Sequence, residues 1–396
     1  MATAQTEFNP FDPAVVADPY PYYRRMREED PVHRNASIRA WFLTRHADVC
    51  ELLRDDRFSS DGTRSERYVE PLPGRGRPGR SMLVVDPPDH TRLRSLVSKA
   101  FTPRMVEQLR PRIESIAADL VDRLASGPQE TDLIGQFAYP LPVIVIAEML
   151  GVPARDRAQF QEWSAIVVRG LDPFLDRETQ EAVFDARDAL TGYLRGIIGE
   201  RRREPAGDLI TAMIAAREKG DLLSEGELVA MCNLLLVAGH ETTVNLIGGG
   251  TLALLRNPDQ LERLRREPEL AAQAVEELLR YAPPVQWTGR VATVELELSG
   301  RRIEPQQSVI GILAAANRDP EVFDDPDRLD IGRDPNPHVS FGRGIHFCLG
   351  APLARLEAQV ALPALLERFP GLRVAGEPEP RPTWNLRGLA RLPVAL

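Results

Sequence analysis

The stretch FGRGIHFCLG, residues 341–350, places a single cysteine, Cys348, among three glycines and close to His346. A structural zinc site needs four nitrogen or sulfur ligands, usually in paired spacings, and no second cysteine follows here. The other cysteines, Cys50 and Cys232, lie in distant apolar helical patterns, which indicates buried structural thiols. A zinc ligand is therefore disfavoured for Cys348, whereas a catalytic nucleophile with its own base stays open.

The residues around Cys348 favour a thiolate that holds a large flat ligand. Apolar side chains recur downstream at helical spacing and predict a helix with Cys348 at its N-terminus: Leu349, Leu353, Leu356 and Val360. Free amides and the helix dipole at such a position lower the pKa of a thiol. Gly342, Gly344 and Gly350 carry no side chain that would block a close approach. A thiolate in this setting can be the axial ligand of haem iron.

Composition excludes several classes of protein. The chain has 396 residues, 49 of them basic and 58 acidic, and its formal net charge of −9 gives no indication of a nucleic-acid partner. Three widely spaced cysteines argue against a disulfide framework and for a reducing compartment. Residues 1–32 lack a basic start followed by an apolar core, so we expect no signal peptide and a cytoplasmic protein.

One segment, residues 228–256, is long enough to span a bilayer. His240 and Glu241 lie at its centre, however, and a charge at that depth in a membrane is costly. The same pattern is typical of the central helix of a large helical protein. We therefore predict a buried helix and no membrane contact.

The hydrophobic pattern predicts a mainly α-helical protein with small β-sheets, in a single domain over residues 1–396. From Asp89, a candidate helix cap, to about Glu204, apolar residues recur three or four positions apart. Residues 59–85 are rich in Gly, Pro and Arg and are typical of a long functional loop. Strand patterns occur at residues 40–44, 290–300, 301–317, 371–376 and 390–396.

The stretch 341–350 resembles the haem-binding signature of the cytochrome P450 family, soluble bacterial type. The matching positions are Phe341, Gly342, Cys348 and Gly350. The resemblance implies the cytochrome P450 fold, a single haem-enclosing domain, with heme b (iron protoporphyrin IX) as the cofactor. It implies Cys348 as the axial ligand of the iron, with the amides of Leu349 and Gly350 bonded to its sulfur. A thiolate ligand favours O–O cleavage.

Glu241 and Thr242, in AGHETT, interrupt the apolar helix. An unpaired carboxylate there is costly, so a function or a water network should justify it. By resemblance they are the acid–alcohol pair on the distal side of the haem. Ala238 and Gly239 would leave room for dioxygen where the helix bulges. Thr242 would hold dioxygen with its water, and Glu241 would relay protons.

Two basic residues in DHTRLR, His90 and Arg94, lie four positions apart on one helix face. The resemblance implies that they bind the haem propionates together with Arg290 and His346. Arginine suits carboxylates because its planar fork bonds both oxygens.

Glu277 and Arg280, in EELLR, are one helical turn apart and would ordinarily be an exposed surface pair. In the family such a pair is buried behind the haem and joined by an arginine from a later loop. The stretch DDPDRLD offers Arg328 for that position. The resemblance thus implies a structural triad.

By resemblance the substrate pocket is formed by the loop 59–85, the helices within 156–203, the central helix and two late segments. Its candidate apolar contacts are Val84, Ile166, Val167, Leu235, Ala238, Val285 and Leu386. No charged anchor is evident. We therefore expect a lipophilic substrate such as a steroid, a terpenoid, a fatty acid or a macrolide.

The leading hypothesis is a monooxygenase that uses dioxygen and receives electrons from a ferredoxin and its reductase, because no dinucleotide or flavin motif is present. A positive docking face for the ferredoxin is expected at Arg104, Arg110, Arg112 and Arg343. A monomer is expected. Two alternatives remain: a peroxygenase of the same fold that uses hydrogen peroxide, and a non-catalytic haem-thiolate binding or sensing protein. The acid–alcohol pair argues against both.

Overall fold

The computed structural model describes residues 8–10, 12–70, 79–170, 175–216 and 222–396. Part of the predicted loop 59–85, namely residues 71–78, lies outside the described residues. Within them the α-helices are α1 Pro13–Ala17, α2 Tyr20–Glu29, α3 His46–Leu52, α4 Asp89–Ala100, α5 Pro103–Gln108, α6 Arg110–Ala125, α7 Pro140–Met149, α8 Arg157–Arg169, α9 Arg177–Arg203, α10 Leu209–Ala215, α11 Glu225–Arg256, α12 Pro258–Arg266, α13 Ala271–Tyr281, α14 Leu313–Ala316 and α15 Ala351–Arg368.

The strands are short and form small sheets, as the sequence predicts. They are β1 Val32–Asn35, β2 Ala40–Leu43, β3 Phe58–Ser59, β4 Glu130–Asp132, β5 Thr288–Ala292, β6 Leu296–Leu298, β7 Arg301–Ile303, β8 Ser308–Gly311, β9 Arg373–Val374, β10 Glu379–Pro380, β11 Leu389–Arg391 and β12 Pro393–Ala395. The largest described sheet has the order β1-β2-β8-β5-β3, with β2 and β8 parallel. Three smaller sheets are β4-β12-β9, β10-β11 and β6-β7.

Helix α11 is the centre of the fold. Ser224 caps its first turn: Ser224 Oγ accepts from the amide of Glu227 at 3.3 Å, and Glu227 Oε2 accepts from the amide of Ser224 at 2.8 Å. Its 32 residues span roughly 48 Å and pack against α7, α9, α13 and α15. In the described part of the chain, no helix combines the length and the apolar character needed to cross a bilayer.

The main hydrophobic core runs from Met82 to Val394 and joins α4 to the last strand. This continuity supports one domain over residues 1–396, which stays a prediction. Two smaller clusters cover the faces of the five-stranded sheet, one against α3 and the other against α2. In this sheet β5, which carries Arg290, pairs with β8, and β8 packs against α3.

Two local predictions differ from the structure. Asp89 does not cap α4: it is the first helical residue, the cap position belongs to Pro88, and no side chain caps that end. The predicted helical region 89–204 also contains β4, because Glu130–Asp132 pairs with the distant strand β12. A pairing partner some 260 residues away leaves no mark in the local pattern.

Candidate active site

The loop that carries Cys348 is folded by its glycines. Gly342 and Gly344 have φ values of +70° and +69°, a left-handed conformation that side chains rarely adopt. A Cβ atom on Gly344 would also lie 2.5 Å from the carbonyl oxygen of Leu53, so the loop can approach the end of α3 only with glycine there. The amide of Cys348 donates to the carbonyl of Phe341 at 2.9 Å, which closes the loop.

Cys348 is exposed to solvent, although protein atoms crowd its thiol. Burial raises the pKa of this thiol, and the amides of Gly350 and Ala351 and the charge of Arg94 oppose that rise. The amide of Gly350 is one of the two predicted for the sulfur, and the bond from the Leu349 amide stays a prediction. Helix α15 begins at Ala351, later than the apolar spacing indicated, so the amides near the sulfur lie one residue further along.

Four basic residues predicted to bind propionates lie together in front of this loop. The rings of His90 and His346 are 4.2 Å apart between centroids. His90 is buried, and neither of its ring nitrogens has a hydrogen-bond partner. Arg94 Nη2 donates to the carbonyl of Phe347 at 2.7 Å, and Arg290 Nη1 donates to Thr288 Oγ1 at 3.1 Å.

The two arginines of this cluster lack a direct carboxylate partner, although Asp86 lies near enough to act on Arg290 and on both histidines. Among the described residues no carboxylate forms an ion pair with Arg94 or Arg290. Burial lowers the pKa of Arg290 to about 10, and burial and the nearby Arg290 charge lower the pKa of His346 to about 3. Half-buried guanidinium groups without a paired carboxylate, beside a buried histidine whose ring nitrogens have no partner, fit a ligand that carries carboxylates. The cluster therefore suits the two propionates of a haem.

The residues that support this cluster could not be recognised from the sequence. Ser60 Oγ lies 2.9 Å from His346 Nε2, and Asp86 Oδ1 accepts from the amide of Ser60 at 2.8 Å. Asp86 also accepts from Ser59 Oγ at 2.5 Å. The two prolines that follow Asp86 mark a turn, but nothing in the local sequence connects that turn to His346.

Replacing Arg290 with glutamine is expected to speed haem loss by roughly tenfold or more, because a hydrogen bond to a charged group contributes about 1.5–3 kcal/mol. Transfer of haem to excess apomyoglobin measures the rate. Arg302→Gln is the matched control, since Arg302 is 67% exposed and pairs with Glu295 on the surface. Equal rates in the two variants and the wild type would contradict the role of Arg290.

On the distal helix α11 the predicted acid and alcohol differ in their surroundings. Thr242 is half-buried, and its Oγ1 donates to the carbonyl of Ala238 at 3.0 Å. Ala238 is exposed, as a residue facing a pocket would be. Gly239 instead packs against Ile146 of α7, where a Cβ atom would lie 3.2 Å from Ile146 Cδ1. The expectation that Gly239 leaves room for dioxygen is thus wrong, since that space holds Ile146.

Glu241 lies in a buried polar network that the sequence did not reveal. It is 1% exposed and forms an ion pair with Arg381, which precedes β11. Its other oxygen lies 3.8 Å from His240 Nε2. His240 is fixed by Ser164 of α8 at 2.9 Å, and burial lowers its pKa to about 4. His240 is therefore neutral near pH 7, and Arg381 carries the positive charge that balances Glu241.

Glu277 and Arg280 are both fully buried, contrary to an ordinary surface pair. Arg280 donates to Glu277 through two bonds of 2.7 and 2.8 Å. Its remaining donors reach the backbone carbonyls of Asn317, Pro326 and Arg328. Every donor of the guanidinium is thus satisfied, as a buried charge requires.

The third member of this triad is Arg333 and not Arg328, so that prediction is wrong. Arg333 Nε lies 3.2 Å from Glu277 Oε2, and its side chain is 11% exposed. Arg328 contributes only its carbonyl oxygen, and its side chain is exposed. The turn at Asp330 directs the later arginine inward, and the amide of Asp330 itself donates to Glu277 at 2.9 Å.

The predicted pocket residues are only partly brought together. Val285 and Leu386 pair through an isolated β-bridge, which joins the two late segments. Ile166 and Val167 are half-buried on α8, Leu235 is buried, and Val84 is 42% exposed. Their role as substrate contacts stays a prediction.

The four arginines of the predicted docking face are not equivalent. Arg110 pairs with Glu107 at 2.5 Å, and Arg112 pairs with Glu148 at 2.7 Å, so both charges are neutralised. Arg104 is exposed, and within the part of the chain that the structure describes Arg343 donates to a backbone carbonyl, that of Pro337, at 2.9 Å. Ile345 and Phe347 in the same loop are 51% and 38% exposed.

Comparison with known proteins identifies the class. The family model described as Cytochrome P450 matches residues 36–394. Cytochrome P450 107B1 of Saccharopolyspora erythraea is 50% identical, over 97% of this chain and 96% of the relative. Vitamin D(3) 25-hydroxylase of Pseudonocardia autotrophica is 45% identical, over 96% and 94%. The structure of PksS, the cytochrome P450 of the bacillaene polyketide synthase of Bacillus subtilis 168, superimposes with a TM-score of 0.92 at 42% identity and covers 98% of this chain and 99% of that chain.

These matches define a haem-dependent oxygenase with the P450 fold. The chain belongs to the cytochrome P450 family, as a monooxygenase of the bacterial type. The predicted fold class, mainly α with small sheets, is thereby confirmed. The family uses haem, dioxygen and a redox partner.

Proposed function

We propose that this chain holds heme b through Cys348 and inserts one oxygen atom of dioxygen into a lipophilic small molecule. The observation that carries the proposal is a cluster of basic residues, whose two arginines lack a paired carboxylate among the described residues, beside the loop that carries Cys348. His90, Arg94, Arg290 and His346 would hold the propionates. When bound, the haem supplies the iron at which dioxygen is activated.

Proton supply is assigned to Glu241 and Thr242. The Thr242 hydroxyl donates to the Ala238 carbonyl at 3.0 Å, and its lone pairs stay free to accept from a water. Glu241 is held by Arg381 and lies beside a neutral His240. Because the Arg381 charge favours the carboxylate, Glu241 must turn away from Arg381 to pass a proton towards Thr242.

The substrate is proposed to be lipophilic and neutral where it meets the pocket. Val285, Leu386 and Leu235 are apolar, and the charge of Arg381 is already paired with Glu241. The names of the relatives mention vitamin D(3) and a polyketide synthase. Steroid-like and macrolide-like molecules are therefore the first candidates, ahead of terpenoids and fatty acids.

The electron donor is proposed to be a ferredoxin, reduced by its own reductase, that docks on the Cys348 side. Arg343 has no carboxylate partner among the described residues, and Ile345 and Phe347 expose apolar surface beside it. Exposed aromatic and apolar side chains next to arginine are typical of protein interfaces. An acidic partner is attracted to such a surface.

Arg343→Gln is expected to slow reduction by ferredoxin about threefold to tenfold and to weaken its dependence on ionic strength, because steering by charge is screened by salt. Stopped-flow absorbance of the haem measures the rate of reduction. The matched control is Arg177→Gln, which removes an 85% exposed arginine from the start of α9. Unchanged rates in Arg343→Gln would rule out this docking site.

The protein is further proposed to be a cytoplasmic monomer. All three of its cysteines are free thiols, as a reducing compartment allows. Light scattering coupled to gel filtration measures the oligomeric state.

The decisive experiment is an optical titration of the ferric protein with steroids, macrolides, terpenoids and fatty acids, followed by turnover of any compound that shifts the Soret band. Turnover under ¹⁸O₂ with ferredoxin and reductase is expected to yield a product with one labelled atom. Label that enters only from hydrogen peroxide would favour the peroxygenase. A Soret shift without any product would favour the binding protein.

A further inference from the structure

A second ion cluster lies on the thiol side of the fold and has no part in the function proposed above. Arg355, in the second turn of α15, bonds Glu276 of α13 through Nε at 2.7 Å and Nη2 at 2.8 Å. His338 Nε2 lies 3.1 Å from Glu276 Oε2. Burial acts to raise the pKa of Glu276, but the bonds from Arg355 and His338 lower it to about 2. The carboxylate is thus ionised throughout the working range of pH.

This cluster contacts the Cys348 loop through one ring. The guanidinium of Arg355 lies 4.5 Å from the centroid of the Phe341 ring, within the range of a cation–π contact. His338 and Phe347 flank the same ring at 6.1 and 6.3 Å. The backbone of Phe341 accepts from the amide of Cys348 at 2.9 Å. Arg355 therefore contacts Phe341, the residue whose carbonyl accepts from the amide of Cys348.

Two contacts hold the side chain of Arg355 in one orientation. A bidentate Arg–carboxylate pair holds the guanidinium plane, and the ring of Phe341 supports one face of it. The side chains of Arg355 and Glu276 are 31% and 29% exposed, so water screens this charge less than it would at the surface. A fixed positive charge near an electron acceptor favours the reduced state of that acceptor.

We infer that Arg355, held by Glu276 and seated on Phe341, is a positioning residue that sets how readily the iron held by Cys348 accepts its electron. The inference rests on the proposed haem ligation by Cys348. Reduction adds one negative charge, supplied by the redox partner, to a centre that already carries the thiolate. Arg355 stabilises that added charge, and Glu276 limits the effect.

The two charges predict opposite shifts of the midpoint potential. Arg355→Gln removes a positive charge and is expected to lower the equilibrium constant for reduction about tenfold, which is about 59 mV for one electron. Glu276→Gln removes a negative charge and is expected to raise the equilibrium constant. Arg355→Lys keeps the charge without the fork and should lie between Arg355→Gln and the wild type.

The test is an anaerobic reductive titration of the holoprotein against a reference dye, with the Soret band as the readout. Arg368→Gln is the matched control: Arg368 lies on the same helix over the ring of Phe369, thirteen residues or roughly 20 Å beyond Arg355, and its removal should leave the potential unchanged. If the Arg355–Glu276 ion pair is merely structural, Arg355→Gln and Glu276→Gln should both lower stability and should not shift the midpoint potential in opposite directions.

The outcomes separate the inference from the function beneath it. A wild-type protein without the spectrum of thiolate-ligated haem contradicts both. A normal spectrum with equal potentials in all variants, or with shifts of the same sign, overturns the inference alone. If Arg355→Gln does not fold, Glu276→Gln still decides, because an unchanged or lowered potential there is incompatible with the inferred role.

Discussion

Cys348→Ala is expected to abolish turnover completely and to remove the Soret band of the carbon monoxide complex that thiolate-ligated iron gives. The physical reason is that the loop offers no other ligand. In the part of the chain that the structure describes, no cluster of histidine, cysteine or carboxylate side chains is suited to a metal. His346 is turned towards Ser60 and His90. Difference spectra of the reduced protein with carbon monoxide measure the effect directly.

The other two cysteines supply the controls. Cys50 is half-buried on α3, and Cys232 is fully buried in α11, where burial raises the pKa of its thiol to about 12. Cys50→Ala and Cys232→Ala are expected to keep the spectrum, with a loss of about 1 kcal/mol in stability for the buried site. A normal spectrum in Cys348→Ala, or its loss in Cys50→Ala, would contradict the assignment of the ligand.

Haem retention distinguishes two reasons why the Cys348→Ala variant could lose activity, namely loss of the thiolate ligand and misfolding. The basic cluster of His90, Arg94, Arg290 and His346 is intact in this variant, so we expect it to bind haem weakly through the propionates. Haem that binds without the thiolate spectrum supports separate roles for the thiol and the basic cluster. If the variant binds no haem and its circular dichroism is altered, the failure would instead indicate a folding defect.

The sequence predicted those features whose residues lie close together in the chain. The glycines and cysteine of 341–350, the pair Glu277–Arg280 and the pair Glu241–Thr242 each lie within ten positions, so each motif is visible locally, although the burial of Glu277–Arg280 was implied by the family resemblance and not by the spacing. The helical class followed from the period of the apolar residues. In each case the local pattern and the fold require the same residues.

The missed features are contacts between residues far apart in the chain. Arg381 meets Glu241 across 140 positions, and Ser60 meets His346 across 286. An arginine before a short strand and a serine after another are ordinary in isolation, and only the packing of α11 against β11, or of the end of β3 against the Cys348 loop, gives them partners. The prediction of Arg328 fails for a related reason, since the turn at Asp330 decides which arginine of this loop points inward.

Glu277→Gln is expected to reduce the free energy of unfolding by about 3–5 kcal/mol, a large part of the stability of an ordinary protein. Glu277 accepts from Arg280, Arg333, the amide of Asp330 and Asn336 Nδ2, and its removal leaves a fully buried guanidinium without a counter-charge. Denaturant unfolding followed by circular dichroism measures the loss. Glu29→Gln, in the exposed pair with Arg25, should cost under about 1 kcal/mol.

The same measurement distinguishes the two candidate arginines. Arg333→Gln removes a nearly buried charge from Glu277 and is expected to cost about 1–3 kcal/mol. Arg328→Gln leaves the backbone carbonyl that Arg280 uses and should cost under about 0.5 kcal/mol, as surface substitutions usually do. Both changes neutralise one arginine within the same loop, so a difference between them reports the contacts of the Arg333 guanidinium, which include the ion pair with Glu277 and a bond to the carbonyl of Asp324 at 2.7 Å. Equal losses of stability, or a larger loss for Arg328→Gln, would contradict Arg333 as the third member of the triad and favour Arg328.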